Sequence, residues 1–321
     1  MHCKHNYHTS AGLHWICAIA AALVMSSCAA SASGEDTPDG GVPVSFSALT
    51  GWNEADGGDN AEGNTAKGTR LAEGTDGLAF EKGDAIGVFA YKNDSSTPDF
   101  MNNQKVTYDG TAWSYSPTKY WPQVGDVAFY SFYPFSSSHA SDLVEPSVKW
   151  ENIGNEDIMW AKNETAPSTR PVAFQFQHKL MKIKIKLIKG EGFGENTELT
   201  RFDVLGGDDS NKLAKDASLN IRTGELAFVK DDKYTINMLG GETTLSIPDD
   251  GKEFCLFTNP LRKIKIALST SMMDYPDVCI DLLDGDASKF YKVSITIHGT
   301  KISVSVNNLW IDNTIGDQII E

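Results

Sequence analysis

The chain of 321 residues carries 28 basic and 43 acidic side chains, which gives a formal net charge of −15. So acidic a chain argues against nucleic acid as a partner and against binding to an anionic membrane through charge. The length is sufficient for two domains of ordinary size.

Residues 1–27 are predicted to be a secretory signal. A polar start with one firm cation, Lys4, precedes an apolar run that ends near Met25. The run is shorter than the roughly 20 residues that a membrane-spanning helix needs. Two serines directly before Cys28 resemble the lipobox of bacterial lipoproteins, in which the cysteine is acylated. The alternative is ordinary signal-peptide cleavage near residues 29–32.

The next segment, residues 28–41, is rich in glycine, serine and acidic residues and is predicted to be a flexible tether. Residues 42–49 follow as the first predicted strand, because apolar and polar side chains alternate there. The apolar positions are Val42, Val44, Phe46 and Ala48.

Residues 50–77 form a long, acidic, glycine-rich segment that holds a basic pair, Lys67 and Arg70. Polar segments of this kind are where proteases cut folded proteins. Arg170 also lies in a loop-like stretch, but it precedes Pro171, whose tertiary amide makes a poor site for a trypsin-like protease. Of these two arginines, Arg70 is therefore the usable cleavage site.

Alternation of apolar and polar residues continues along the rest of the chain. It recurs in segments that begin at Asp84, Val127, Val172, Met181, Lys263, Tyr291 and Lys301. No sustained helical period appears after the signal, so the predicted fold class is all-β, of the sandwich type. Three lysines, Lys182, Lys184 and Lys186, alternate with apolar residues and are interpreted as the solvated face of a strand, protected from edge pairing.

A polar stretch with two prolines, Ala161 to Phe174, separates an aromatic-rich half from an aliphatic half. Such a stretch is typical of a domain boundary. We therefore predict an N-terminal β-sandwich domain over residues 42–166 and a C-terminal β-sandwich domain over residues 167–321.

The sequence contains no motif that predicts catalysis, a metal site or a cofactor. His139, His178 and His298 lie far apart and lack the spacing of zinc ligands. Several aromatic residues are candidates to stack on sugars, although strand positions favour the core. They are Tyr120, Trp121, Tyr130, Tyr133 and Trp160. The chain is predicted not to be an enzyme.

Two cysteines, Cys255 and Cys279, remain after the signal and Cys28 are set aside. Outside the cytoplasm they could form a disulfide. The alternative is that each is a small apolar residue with a free thiol.

Several segments, taken in order, resemble the fimbrillin-like (Mfa-like) family of type V pilins. They are "VPVSFSA", "GTRLAEG", "FEKGDAIGVFAY", "VTYDGTAWSYSPTKYWP", "DVAFYSFYPF" and "FQFQHKLMKIKIKL". The resemblance is densest from Val42 to Leu187. It continues more loosely to the end, where "VSITIHGTKISVSVNNLWID" is similar to the family's closing hairpin.

The resemblance implies two transthyretin-like β-sandwich domains in tandem and export as a lipoprotein precursor to the outer membrane. It also implies assembly with other pilin subunits into a fimbrium at the cell surface. A trypsin-like protease would cut after a basic residue that follows the first strand, so residues 42–49 would leave. The groove would then accept a strand from the next subunit. The cut falls at Arg70–Leu71, with Lys67 as the second choice.

Residues 302–321 have two possible roles under this resemblance: a donor strand for another subunit, or the last strand of their own domain. The apolar candidates are Ile302, Val304, Val306, Leu309, Trp310, Ile311 and Ile315. Two other functions stay open for the whole chain. It could be an uncleaved anchor or accessory pilin, or a monomeric surface lipoprotein that binds a host or bacterial glycan or protein.

Overall fold

The computed structural model describes residues 41–50, 80–137, 146–154, 156–231 and 233–308. All nineteen regular elements within these ranges are β-strands. In chain order they are β1 (Phe46–Thr50), β2 (Ala85–Lys92), β3 (Met101–Tyr108), β4 (Trp113–Ser114), β5 (Val127–Tyr133), β6 (Ser147–Trp150), β7 (Met159–Asn163), β8 (Val172–His178), β9 (Met181–Lys189), β10 (Glu198–Gly206), β11 (Ala214–Asn220), β12 (Leu226–Lys230), β13 (Thr235–Asn237), β14 (Leu245–Ser246), β15 (Lys252–Thr258), β16 (Lys263–Thr270), β17 (Val278–Asp281), β18 (Phe290–Ile297) and β19 (Ile302–Asn308). The predicted all-β class is confirmed.

The first half of the chain forms a seven-stranded sheet in the order β1-β8-β7-β5-β2-β3-β4. Its central strands β2 and β5 are buried along almost their whole length, on both faces. On β2, Ile86 and Val88 belong to one apolar cluster, whereas Phe89 and Tyr91 belong to another. Burial on both faces explains why these strands are continuous apolar runs rich in aromatic residues.

A three-stranded sheet, β12-β11-β6, supplies residues to the cluster that contains Phe89 and Tyr91. Strand β6 comes from the first half of the chain and pairs antiparallel with β11 from the second half. Trp160 on β7 donates from its indole nitrogen to the carbonyl oxygen of Ile221, 2.8 Å away. The two halves of the sequence therefore share one core, which a simple division into tandem units does not predict.

The second half forms a sandwich of two sheets. One sheet has the order β15-β9-β18-β19, and the other has the order β13-β10-β16-β17, with β14 paired to β10. Their inner faces meet in a single aliphatic cluster that includes Ile183, Ile185 and Ile266. This is the face-to-face packing of two sheets whose strands alternate inward apolar and outward polar residues.

The structure corrects two predictions about this region. Residues 172–178 belong to β8, which pairs with β1 and β7, so the predicted boundary at 166/167 lies in the connection between two paired strands of the first sheet. Strand β9 pairs with both β15 and β18, so its lysines do not protect a sheet edge. Lys184 and Lys186 lie instead on the half-buried outer face of an interior strand, where Lys184 forms an ion pair with Glu253 at 2.8 Å. Lys182, predicted to be solvated, is buried with its ammonium 4.6 Å from the centroid of the Phe290 ring.

Candidate functional site

The first strand lies between two edges of the seven-stranded sheet. Strand β1 pairs in parallel with β8, with Phe46 opposite Val172 and Thr50 opposite Phe176. On its other side, the residues before β1 hydrogen-bond to the chain that follows β4. The Val44 amide donates to the Lys119 carbonyl at 2.8 Å, and the Trp121 amide donates to the Val42 carbonyl at 2.9 Å. We call this position the first-strand groove, with β8 as one wall and residues 115–121 as the other.

Side chains of the first strand alternate between the core and solvent. Val44 and Phe46 are 2% and 6% exposed, and Ala48 is half-buried against the same cluster. Leu49 points away from the groove and is 69% exposed. Val42, predicted to be a buried member of the strand, is 50% exposed, because among the described residues it is paired only with Trp121 and the pairing with β8 begins at Phe46.

Three aromatic rings surround the Phe46 ring. Phe174 of β8 stacks on it at 5.8 Å between ring centroids, with 12° between the planes. Tyr115 and Phe129 meet it edge-on at 5.4 and 6.1 Å. Each well-placed aromatic pair adds about 0.5–1.5 kcal/mol beyond the burial of apolar area. Phe46 is therefore the best-anchored side chain of the first strand.

Tyr115 also holds the backbone of the first strand. Its hydroxyl donates to the carbonyl of Val44 at 2.8 Å and accepts from the amide of Lys119 at 3.3 Å. A tyrosine hydroxyl is protonated at neutral pH and can donate, and burial raises the pKa of Tyr115 further above its ordinary value. The hydrogen bond to a carbonyl is independent of the side chain at that position.

The predicted processing residues Lys67, Arg70 and Leu71 lie outside the described residues, as does the predicted lipidation site Cys28. The chain is described again from Phe80, whose ring packs on Trp113, Tyr133 and Phe176 at 5.0, 5.5 and 5.6 Å. Sequence reasoning missed this anchor. The available signal was that Phe80 is the only aromatic residue between Trp52 and Phe89.

The closing strand pairs within its own sheet. Strand β19 lies antiparallel to β18, with Ile302 opposite Ile297 and Val306 opposite Val293. Ile302 and Val304 are each 5% exposed, and Val306 packs against the same aliphatic cluster. For residues 302–308 the structure thus matches the second of the two predicted roles, a last strand of the chain's own sheet. Leu309, Trp310, Ile311 and Ile315 lie outside the described residues.

The structure does not join Cys255 to Cys279. Cys279 is a free, exposed cysteine on β17. Cys255 is on β15, which belongs to the other sheet of the sandwich. The residues flanking Cys279, Val278 and Ile280, fill the core between the sheets, so its own side chain points to solvent. For Cys279 the structure thus matches the second of the two alternatives, a free thiol.

Most of the aromatic residues considered for sugar stacking are core residues. Tyr130, Tyr133 and Trp160 are buried, whereas Tyr120 and Trp121 keep part of their surface exposed. Trp121 also packs edge-on against Phe129 at 5.5 Å. The first half therefore does not present these five rings as one exposed platform.

One buried polar pair lies where β8 leads into β9. Nδ1 of His178 and Oδ2 of Asp157 are hydrogen-bonded, with both side chains almost fully buried. The described residues contain no group of three or more histidine, cysteine or acidic side chains that could hold a metal ion. Among them, no helix is long and apolar enough to cross a membrane.

The fold and the groove together define an all-β sandwich protein whose first strand is held between two sheet edges. The chain belongs to the fimbrillin-like family, whose sequence model matches residues 69–310. The recognised family is thus confirmed over most of the chain, and the matched part begins after the first strand.

One relative is a Bacteroides ovatus protein described as a fimbrium tip subunit, Fim1C. It is 30% identical over 129 residues, which cover 34% of this chain and 24% of the relative. The alignment thus spans about a quarter of that protein's length.

Solved structures of similar fold include two described as cell adhesion proteins. The one from Bacteroides ovatus has a TM-score of 0.58 at 14% identity and covers 86% of this chain and 100% of its own. The one from Bacteroides uniformis has a TM-score of 0.52 at 19% identity and covers 72% and 93% of the two chains. At these identities the likeness concerns the fold.

Proposed function

We propose that this protein is a structural or adhesive subunit of a cell-surface fimbrium that polymerises by strand exchange. In this proposal the protein is exported as a lipoprotein precursor, acylated at Cys28, and held at the outer membrane. A trypsin-like protease then removes the first strand, and a strand of another subunit takes its place. Membership of the fimbrillin-like family supports a structural rather than a catalytic role.

One observation carries the proposal: the first strand pairs with β8 and not with β2, the strand that follows it in the chain. It enters the sheet in parallel beside β8 and is linked to β2 through a long connection that begins after Thr50. Its apolar contribution comes mainly from Val44 and Phe46. Removal of the strand would leave the groove between β8 and residues 115–121 without its occupant.

The free energy of burying the first strand's apolar side chains favours replacement of the lost strand. Two buried side chains at about 1.5–3 kcal/mol each contribute roughly 3–6 kcal/mol of apolar burial. A whole domain is typically stable by only about 5–15 kcal/mol. An empty groove would therefore remove a large part of the domain's free energy of unfolding. A strand added at a sheet edge restores backbone hydrogen bonds as well as apolar burial.

The proposed scissile bond is Arg70–Leu71, with Lys67–Gly68 as the second choice. Hydrolysis there separates the first strand from the chain that resumes at Phe80. Phe80 itself is packed on the core, so the chain after the cut stays attached to the sheet from that residue onward. Arg170 is exposed in a turn, yet it remains a poor competitor because Pro171 follows it.

The incoming strand is proposed to come from the end of another subunit, residues 309–321. Residues 302–306 are less suited to leave, because they fill the aliphatic core beside β18. Leu309, Trp310, Ile311 and Ile315 are the apolar residues available for the groove.

The alternative is an uncleaved anchor or accessory pilin, in which the first strand stays in its groove. The N-terminal residue of the protein recovered from the cell surface separates the two. Leu71 supports the processed subunit, and Gly68 moves the cut to Lys67. Acylated Cys28 on the polymerised protein would contradict the proposal and support the anchor or a surface lipoprotein.

A further inference from the structure

Backbone contacts in the first-strand groove do not select a sequence. The Val44 carbonyl accepts from the Tyr115 hydroxyl, and the Ser45 carbonyl accepts from the Val172 amide at 2.8 Å. Any extended segment offers the same carbonyl groups at the same spacing. If the groove prefers one strand over another, that preference must come from the side chains that point inward.

The inward positions differ in what surrounds them. Ala48 is small and half-buried, and Val44 fits among aliphatic and aromatic neighbours of the same cluster. Phe46 lies against the three rings of Tyr115, Phe129 and Phe174, one of them stacked and two edge-on. An aliphatic side chain there would bury area but lose the ring contacts, and alanine would leave a cavity.

We propose that the first-strand groove selects an incoming strand of a second subunit that places an aromatic ring at the position of Phe46. In the proposed donor segment, residues 309–321, the one aromatic residue is Trp310, which would take the position of Phe46 with the strand parallel to β8. Tyr115 is the positioning residue, because it forms one wall of the ring pocket and fixes the backbone two residues earlier. This inference rests on the proposed strand exchange.

The test uses synthetic peptides of residues 42–50 and the full chain cut at Arg70 by limited trypsin digestion. Uptake of a fluorescent peptide is followed by anisotropy, with the uncut chain as baseline. We expect Phe46→Ala to weaken uptake by about 100-fold or more and Phe46→Leu by about tenfold. Leu49→Ala, a matched change on the exposed face of the same strand, should bind like the native peptide.

The protein side is tested with Tyr115→Phe, which keeps the ring and removes the hydroxyl. The native peptide should dissociate about three to ten times faster from this variant. Tyr108→Phe is the control, because that hydroxyl donates to the nearby Gly110 carbonyl on the surface, away from the groove contacts of Tyr115. An unchanged dissociation rate for Tyr115→Phe would overturn the positioning role.

The outcomes separate this inference from the strand-exchange function. Uptake of the native, Phe46→Ala and Phe46→Leu peptides with equal affinity would overturn the aromatic preference while leaving strand exchange intact. Equal affinity of the native and Phe46→Leu peptides, with loss for Phe46→Ala, would overturn it too, because the pocket would then be merely apolar. No uptake of any peptide by the cut chain would overturn both.

Discussion

At the scale of single residues, contacts close in sequence were predictable and distant ones were not. The alternation of Val44, Phe46 and Ala48 is visible in the sequence, and the structure places these side chains toward the core. Tyr115 was missed as a partner of Val44, because the two residues are 71 positions apart. The error at Val42 has a similar cause, since a period of two does not show where a strand enters its sheet.

The buried pair of Asp157 and His178 should make a large contribution to stability. His178→Ala would leave the buried carboxylate without this partner, which typically costs about 3–5 kcal/mol. His298→Ala is the control, because that ring is only part-buried and contacts the Ser303 hydroxyl at 3.3 Å. Urea unfolding of both variants measures the difference. A loss below about 1 kcal/mol for His178→Ala would contradict this role.

Stability should fall at alkaline pH because of two buried tyrosines. Burial raises the pKa of Tyr91 to about 12, and burial together with the hydrogen bond to Glu164 raises the pKa of Tyr130 to about 12. In the unfolded chain these phenols lose their protons near the ordinary value of 10.0. The folded state then holds more protons, so stability decreases as the pH rises from about 10 to 12.

Tyr91→Phe tests this pH dependence. The Tyr91 hydroxyl is buried and has no hydrogen-bond partner within the described part of the chain, so its removal should cost little at neutral pH. Denaturant unfolding from pH 9 to 12 should show a smaller alkaline loss for this variant than for the native protein. The same loss of unfolding free energy between pH 9 and 12 in both proteins would show that Tyr91 does not cause the alkaline destabilisation.

At the scale of elements, the long strands were predictable, whereas their partners were not. The alternating segments correspond to β2, β5, β8, β9, β16, β18 and β19. A strand with one solvated face has the same pattern at an edge and inside a sheet, so the lysines of β9 were assigned to an edge. Pairing of β6 with β11 joins Val148 to Leu219, which no local pattern reveals.

Packing of the β11–β12 hairpin on Trp160 is tested at Gly224. This residue has a φ of +71°, and a Cβ there would lie 2.5 Å from Trp160 Cε3. Gly241 has a φ of +96° and open space around it, so Gly241→Ala carries only the backbone strain. Gly224→Ala should therefore be about 1–3 kcal/mol more destabilising than Gly241→Ala. Equal losses would mean that the hairpin does not pack closely on Trp160.

At the scale of the whole molecule, each half of the chain has one core cluster of its own, and both halves share a third cluster. Aromatic residues are concentrated in the clusters on the two faces of the seven-stranded sheet. Aliphatic residues predominate in the cluster between the two sheets that contain β9 and β10. The boundary was misplaced because the polar stretch between β7 and β8 is a connection within one sheet. A proline-rich loop and a domain linker have the same composition, so the arrangement as two tandem transthyretin-like domains remains a prediction.

The central claim is that removal of the first strand switches on polymerisation, and Arg70→Ala tests it most directly. Polymer formation by the protein recovered from cells is followed as a ladder in gels of unheated samples, with Lys67→Ala as the matched control. We predict that Arg70→Ala stays monomeric and keeps its first strand, whereas Lys67→Ala forms the native ladder. A native ladder from Arg70→Ala, at the native rate and with residues 42–50 still attached, would contradict the account.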